Sequence, residues 1–217
     1  DITKEKARKG LEKIYQILEK DFERGLIKKE VLNDTKGRIK ISEDYKDLET
    51  KNFIIEAIYE DLDIKSEALK TAEKFIKPDG IIASNTSTIP ISILASKIKN
   101  SERFIGIHFF SPVHKMKLVE IIKANSTSFS TLEKALNFTK AITKTPIVVN
   151  DSPGFYTTRV FTKYPCEGMA MLDEGIKATS IENAGKKAGY PVGPLALSDE
   201  VNIALVCLLY TSDAADE

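Results

Sequence analysis

The chain has little of what would mark a secreted or metal-held protein. Its 217 residues include two cysteines, Cys166 and Cys207, and two histidines, His108 and His114. Two cysteines build no disulfide framework, and such sparing use fits a reducing compartment. Net charge is also absent, with 32 Lys and Arg against 32 Asp and Glu. A nucleic-acid or membrane-surface partner would favour a basic excess, so neither is expected. No apolar run approaches the length of a membrane span, and no signal-peptide pattern opens the sequence. No GxGxxG occurs anywhere, the glycine turn with which a dinucleotide fold cradles a pyrophosphate at a helix N-terminus.

What is present alternates in period. Ala7, Leu11, Ile14, Leu18 and Phe22 share one face of a helix expected over residues 3–24, with Lys and Glu on the other. Ile39–Ile41 reads as a short strand. Residues 52–58 carry a nearly unbroken apolar run, as a strand covered on both faces does. Leu62–Ile76 returns to helical period and stops at Pro78-Asp79-Gly80, a turn signal. Ile81–Ala83 reads as a strand and Ile89–Ile98 as a short helix. Two strands follow at Phe104–His108 and Leu118–Ile122, then a helix at Ser128–Thr143 and a strand at Pro146–Val149. This alternation predicts an α/β, mostly parallel, doubly wound sheet. Strand signals fade after Asn150. Residues 155–176 and 180–188 read as helices, so an α/β domain over 1–150 gives way to a helical one over 151–205.

The most informative stretch is Arg103 to Ile122, RFIGIHFFSPVHKMKLVEII. An apolar strand ends in His108, a Phe-Phe-Ser-Pro turn follows, and a second apolar strand carries Glu120 twelve residues on. Neighbouring strands bring two such side chains within hydrogen-bond reach. A carboxylate on one imidazole nitrogen fixes the tautomer and raises the basicity of the other, which makes a general base. On spacing alone, a satisfied structural histidine and a solvated strand glutamate are the commoner reading. Zinc is the weaker alternative, since no third ligand lies nearby and Pro112 keeps His108 and His114 off one helix face. A ligand crevice is expected at the carboxyl ends of the strands, where Glu60, Lys65, Asn85, Ser87, His108 and Ser111 fall.

His108 with its FFSP turn, Glu120 in KLVEII, Ser84-Asn85-Thr86-Ser87, and Asp151-Ser152-Pro153-Gly154-Phe155-Tyr156 occur in fixed order. In this the chain resembles the NAD-dependent L-3-hydroxyacyl-CoA dehydrogenases of fatty-acid β-oxidation. FFSPVHKMKLVEII, GFYTTR and GYPVGPLALSDEV are most similar to the dehydrogenase part of the multifunctional enzymes, which also carry a hydratase domain. The resemblance spans roughly residues 1–204. It implies a Rossmann-type domain followed by an all-α domain, NAD as cofactor, a 3-hydroxyacyl-CoA substrate, and an oligomer through the helical domain.

The resemblance also assigns roles. His108 matches the catalytic base, and Glu120 the carboxylate that orients it. Ser87 matches a serine near both substrate hydroxyl and nicotinamide. Ile58, Glu60 and Lys65 match positions lining the cofactor, and Asp1 matches the ligand of the adenosine ribose. Ser111 stands where many members have the Asn of HFFNP. Thr158 stands where many have an Asn that holds the substrate oxygen; its hydroxyl can donate one hydrogen bond, with shorter reach. Phe109 and Phe110 are expected to pack beneath the site. Lys4 to Lys9 reads as a solvated helix face, with CoA phosphate a further use for Lys4 or Lys9.

Both ends carry expectations. The sequence opens on the acidic residue that ends the second strand of this fold, so it is read as beginning after the phosphate-binding half-unit, and a chain without that half-unit is expected to bind NAD weakly. Residues 206–217 fit no further element of the family and are read as a tail outside the fold. Two rivals remain: a stand-alone 3-hydroxybutyryl-CoA dehydrogenase, and a paralogue that keeps the fold without turnover. A bacterial source implies the cytoplasm, a eukaryotic one mitochondria or peroxisomes.

Overall fold

A computed structural model describes residues 3–200. Helix α1 (Lys4–Glu23) opens on Thr3, whose hydroxyl accepts from the Lys6 amide, a side-chain N-cap. It pairs with α2 (Lys29–Arg38), a helix that its two lone apolar residues, Val31 and Leu32, did not announce. The apolar stripe of α1 is only partly covered: Ile14 and Phe22 stay exposed, and no α1 residue is fully buried. The strand expected at Ile39–Ile41 is extended chain without a ladder partner. Hydrophobic residues alone do not make a strand when no neighbour supplies the hydrogen bonds.

The sheet is built from β1 (Phe53–Glu56), β2 (Ile81–Ser84), β3 (Phe104–Phe109), β4 (Leu118–Lys123) and β5 (Thr145–Asn150), in that spatial order. β1, β2 and β3 are parallel, as are β4 and β5; β3 and β4 run antiparallel. Helices α3 (Leu62–Glu73), α4 (Ile91–Ala95) and α5 (Phe129–Ala141) supply the crossovers. Side-chain alternation along each strand divides the core in two. Ile82, Phe104 and Ile122 pack with Leu69, Ile91 and Leu94 on the α3–α4 side. Ile81, Ile105, Ile107 and Ile121 pack with Ala135 and Leu132 on the α5 side. Gly106 is required by this packing, because a Cβ there would lie 2.7 Å from the Ile91 side chain and 2.9 Å from Ile122 Cβ.

Helices α6 (Thr157–Asp173), α7 (Ala178–Lys187) and α8 (Pro194–Glu200) pack against one another after β5. The turn into α6 uses two successive residues at positive φ, Gly154 (67°) and Phe155 (50°). The first is a glycine, for which this costs nothing. The second is a phenylalanine held there by complete burial in the α3–α4 core, at a strain of about 1–3 kcal/mol. No helix among the described residues is long and apolar enough to cross a membrane.

Candidate active site

The antiparallel pairing of β3 with β4 sets His108 directly opposite Glu120 in the ladder. Cross-strand partners point to one face, and the imidazole Nδ1 lies 2.8 Å from Glu120 Oε2. Both side chains share the face of Gly106 and Ile122, the α4 side. The ring packs beside Phe110, with centroids 4.7 Å apart, and near Phe155 at 6.1 Å. Nε2 makes no hydrogen bond among the described residues. A neutral imidazole with Nδ1–H donated to a carboxylate carries its free lone pair on Nε2.

Glu120 is fully buried, yet every acceptor position of its carboxylate is used. Oε2 accepts from His108 and, at 2.7 Å, from the Thr157 hydroxyl. Oε1 accepts from the Tyr156 and Thr157 amides at 3.1 and 2.8 Å. These two N–H groups belong to the start of α6, where unpaired amides and the helix dipole favour a negative charge. Burial pushes the carboxyl upward, but the bonds from His108, the Thr157 hydroxyl and the Thr157 amide more than offset it, and its pKa is held below the ordinary value.

The carboxyl ends of β1, β2 and β3 lie along one edge and are tied together by polar contacts. Glu56, at the end of β1, accepts from Ser84 at 2.6 Å and from Lys65 at 2.8 Å. Lys65 also reaches Glu60 Oε2 at 3.1 Å and the Ile58 carbonyl at 3.2 Å. Glu60 in turn gathers the loop after β2. Its Oε1 accepts from Thr86 Oγ1 at 2.5 Å and from the Ser87 and Thr88 amides at 3.0 and 3.2 Å. Burial pushes the Glu60 carboxyl up, and the Thr86 hydroxyl, Lys65 and the Ser87 amide bring it below the ordinary range. Asn85 Oδ1 accepts from the Phe109 amide at 2.9 Å, linking the same loop to β3. β2 and β3 are adjacent and parallel, so the loop that carries Ser87 leaves the same edge at which His108 lies, and the Ser87 hydroxyl makes no hydrogen bond among the described residues.

One expected site residue, Lys65, sits differently. Lys65 does not open onto a groove: it is 1 % exposed and its ammonium is spent on Glu56, Glu60 and a carbonyl. Thr158 is half-buried in the first turn of α6, and it is the preceding Thr157 that reaches Glu120. Ile58 and Ser111 are exposed, on the loop after β1 and the turn after β3. Asp1, Cys207 and the stretch 206–217 lie outside the described residues. A cleft of 940 Å³ lies between β5 and α6, walled by Val148, Phe155, Tyr156, Arg159, Lys163 and Tyr190. The sequence gives no role to Thr157 or Ser84, because Thr and Ser in such positions usually serve as caps or turn residues, nor to Glu56, whose partners lie further along the chain.

The buried cation gives a direct test. Lys65→Met would leave the Glu56 carboxylate uncompensated inside the protein. Breaking such a pair from one side costs about 3–5 kcal/mol. The urea midpoint should fall accordingly, and Glu56→Gln added to Lys65→Met should restore part of the loss. A single variant as stable as the parent would mean that the pair contributes nothing.

Two family models match in succession. The description "3-hydroxyacyl-CoA dehydrogenase, NAD binding domain" covers residues 1–152, and "3-hydroxyacyl-CoA dehydrogenase, C-terminal domain" covers residues 154–212. The chain belongs to the 3-hydroxyacyl-CoA dehydrogenase family. The second match extends into the stretch that the sequence set apart as a tail. Solved structures agree with the assignment. The (S)-3-hydroxybutyryl-CoA dehydrogenase PaaH1 of Ralstonia eutropha is 33 % identical, with a TM-score of 0.93 over 99 % of this chain and 78 % of that one. FadB2 of M. tuberculosis is 27 % identical, with a TM-score of 0.93 over 96 % and 75 %. The dehydrogenase part of multifunctional enzyme 1 from C. elegans is 25 % identical, with a TM-score of 0.66 over 91 % of this chain and 45 % of that one.

NAD is the cofactor of this family's N-terminal domain. The residues present are compatible with it: a Ser87 hydroxyl and a His108 Nε2 without hydrogen bonds among the described residues follow adjacent parallel strands, and Ile58 and Tyr59, after β1, are exposed. The carboxyl edge of a doubly wound sheet is where such a ligand binds.

Proposed function

We propose that the chain is the dehydrogenase portion of an enzyme that oxidises (S)-3-hydroxyacyl-CoA to 3-ketoacyl-CoA in fatty-acid β-oxidation, with NAD. The observation that carries this reading is His108. Its Nδ1 is held by a buried, fully bonded carboxylate, and its Nε2 is free at the sheet edge. NAD, when bound, supplies the hydride acceptor. The residues of the chain do the rest. His108 Nε2 takes the proton of the 3-hydroxyl, Glu120 offsets the resulting imidazolium charge, and the Ser87 hydroxyl orients the substrate oxygen. Thr158, on the first turn of α6, contributes at most one further bond to that oxygen. Glu60 acts on the cofactor side by fixing the loop that carries Ser87, and Lys65 fixes Glu60. Ile58 lines the cofactor from its exposed loop, Ser111 lies beside it in the turn after β3, and Asp1 is the ribose ligand. Exposed Val160, Met169 and Leu172 on α6 support association through the helical domain.

A second reading, a stand-alone 3-hydroxybutyryl-CoA dehydrogenase, is favoured by the 33 % identity and near-complete overlap with the Ralstonia enzyme. The multifunctional reading is favoured by GFYTTR and FFSPVHKMK in the sequence. Turnover of an acyl-chain series separates them. The full-length protein containing this chain is mixed with NAD and (S)-3-hydroxyacyl-CoAs from four-carbon to long-chain, and NADH formation is followed. Activity across long chains supports the first reading, and activity confined to the four-carbon substrate supports the second. A folded protein that forms no NADH with any of them would overturn both.

A further inference from the structure

Two donors converge on the one carboxylate oxygen that supports His108. The imidazole Nδ1–H and the Thr157 hydroxyl both bond to Glu120 Oε2, at 2.8 and 2.7 Å. The other oxygen is taken by the amides that start α6. A carboxylate with all its acceptor positions filled cannot rotate without losing several charge-assisted bonds. The charge it directs at the imidazole is shared with the hydroxyl.

Thr157 is half-buried and reaches Glu120 across 37 residues of sequence, from the first residue of α6. Its backbone amide already bonds the carboxylate, so the hydroxyl is not needed to satisfy the helix end. Around the imidazole, β4 presents Glu120, while the turn after β3 and the segment before α6 present Phe110 and Phe155, both uncharged. Helix α4 (ISILA) carries no charge. The end of β2 presents Ser84, whose partner Glu56 is itself paired with Lys65. On α6, Arg159 and Lys163 line the cleft beyond Phe155. Glu120 is the one charged group bonded to His108 among the described residues, so whatever alters Glu120 Oε2 acts on the base.

We propose that Thr157 is a positioning residue for the reaction, acting through Glu120: its hydroxyl locks the carboxylate in one rotamer and takes up part of the charge that would otherwise bear on His108. This rests on the reading of His108 as the base. The hydroxyl tempers the carboxylate, so that His108 pairs with it firmly enough to stay oriented without drawing its whole charge. It also makes the base answer to the placement of α6, because the hydroxyl and both amides move with that helix.

The test is Thr157→Val, which keeps the shape and removes the donor. The carboxylate then bears on the imidazole alone. The acid limb of the kcat/KM profile of the full-length protein should move up by roughly half to one pH unit, the scale of one charge-assisted bond among several. At pH values on that limb kcat should fall about three- to tenfold with KM little changed. Independently of turnover, the downfield Nδ1–H proton resonance of His108 should move further downfield. Thr157→Ser should return both readouts to the parent values. A folded Thr157→Val protein with an unmoved acid limb and an unmoved resonance would overturn the proposal, and so would loss of native circular dichroism in both Thr157→Val and Thr157→Ala, which would make the hydroxyl a requirement for folding. His108→Gln is the control. If it abolishes turnover while Thr157→Val changes nothing, the base stands and only the Thr157 inference fails.

Discussion

His108→Gln is expected to leave the fold in place and lower kcat by about 10²–10⁴, the usual worth of a general base. Glutamine can still offer an amide N–H to Glu120 Oε2, so the buried carboxylate keeps its fourth donor and the protein keeps most of its stability. What disappears is the acceptor at the position of Nε2. Binding of NADH should change little, because the side chain that is lost acts on the substrate hydroxyl. Steady-state kinetics with a 3-hydroxyacyl-CoA, beside titration with NADH, measures both. An unchanged kcat would remove His108 from the chemistry. A fall in kcat accompanied by unfolding would be uninformative about the base, so the same preparation should show a thermal midpoint within a few degrees of the parent.

The geometry behind this expectation was partly legible in the residues. The two apolar strands around the Phe-Phe-Ser-Pro turn were visible, and so was their order. Their antiparallel pairing, which puts His108 opposite Glu120, was not. An eight-residue connection between the strands admits a hairpin, but the surrounding alternation of strand and helix argued for a mostly parallel sheet. Lys65 shows the opposite limit. Its position at a strand end marked it for a ligand, while only packing reveals that Glu56 and Glu60 absorb its charge. Long-range partners of this kind leave no periodic trace. The same holds for Thr157: GFYTTR offers two adjacent threonines, and only the left-handed turn at Gly154 and Phe155 decides which one faces the carboxylate. Helix α2 was missed for a local reason. With a polar sequence and few apolar residues, it has no stripe for a 3.6-residue period to report.

Glu120→Gln should have the broadest effect of any single substitution at this site. The carboxylate accepts from four donors, and an amide can replace only one of its two oxygens as acceptor. Its NH₂ group must face either the two α6 amides, which cannot accept, or His108 and Thr157, which must then turn acceptor, the imidazole by moving its proton to Nε2 and so losing the free lone pair there. A stability loss of about 3–5 kcal/mol follows from breaking a buried charged network. A kcat loss of about 10²–10⁴ follows from a misoriented base without its counter-charge. The pH dependence adds a signature. In the folded chain Glu120 titrates below its ordinary value of 4.5. Stability from this group is therefore fully present above that value and is lost as pH falls from there through the lower, folded one. Glutamine has no such proton to bind. Urea midpoints taken from neutral pH down into the acid range should show the parent approaching the variant as the carboxyl protonates, so that the gap between them narrows. Glu60 and Glu73, also held below their ordinary values, contribute the same acid sensitivity to both proteins and cancel in the comparison. A gap that stays constant down to acid pH would show that Glu120 is not ionised in the folded protein, and the counter-charge assigned to it would have to be withdrawn.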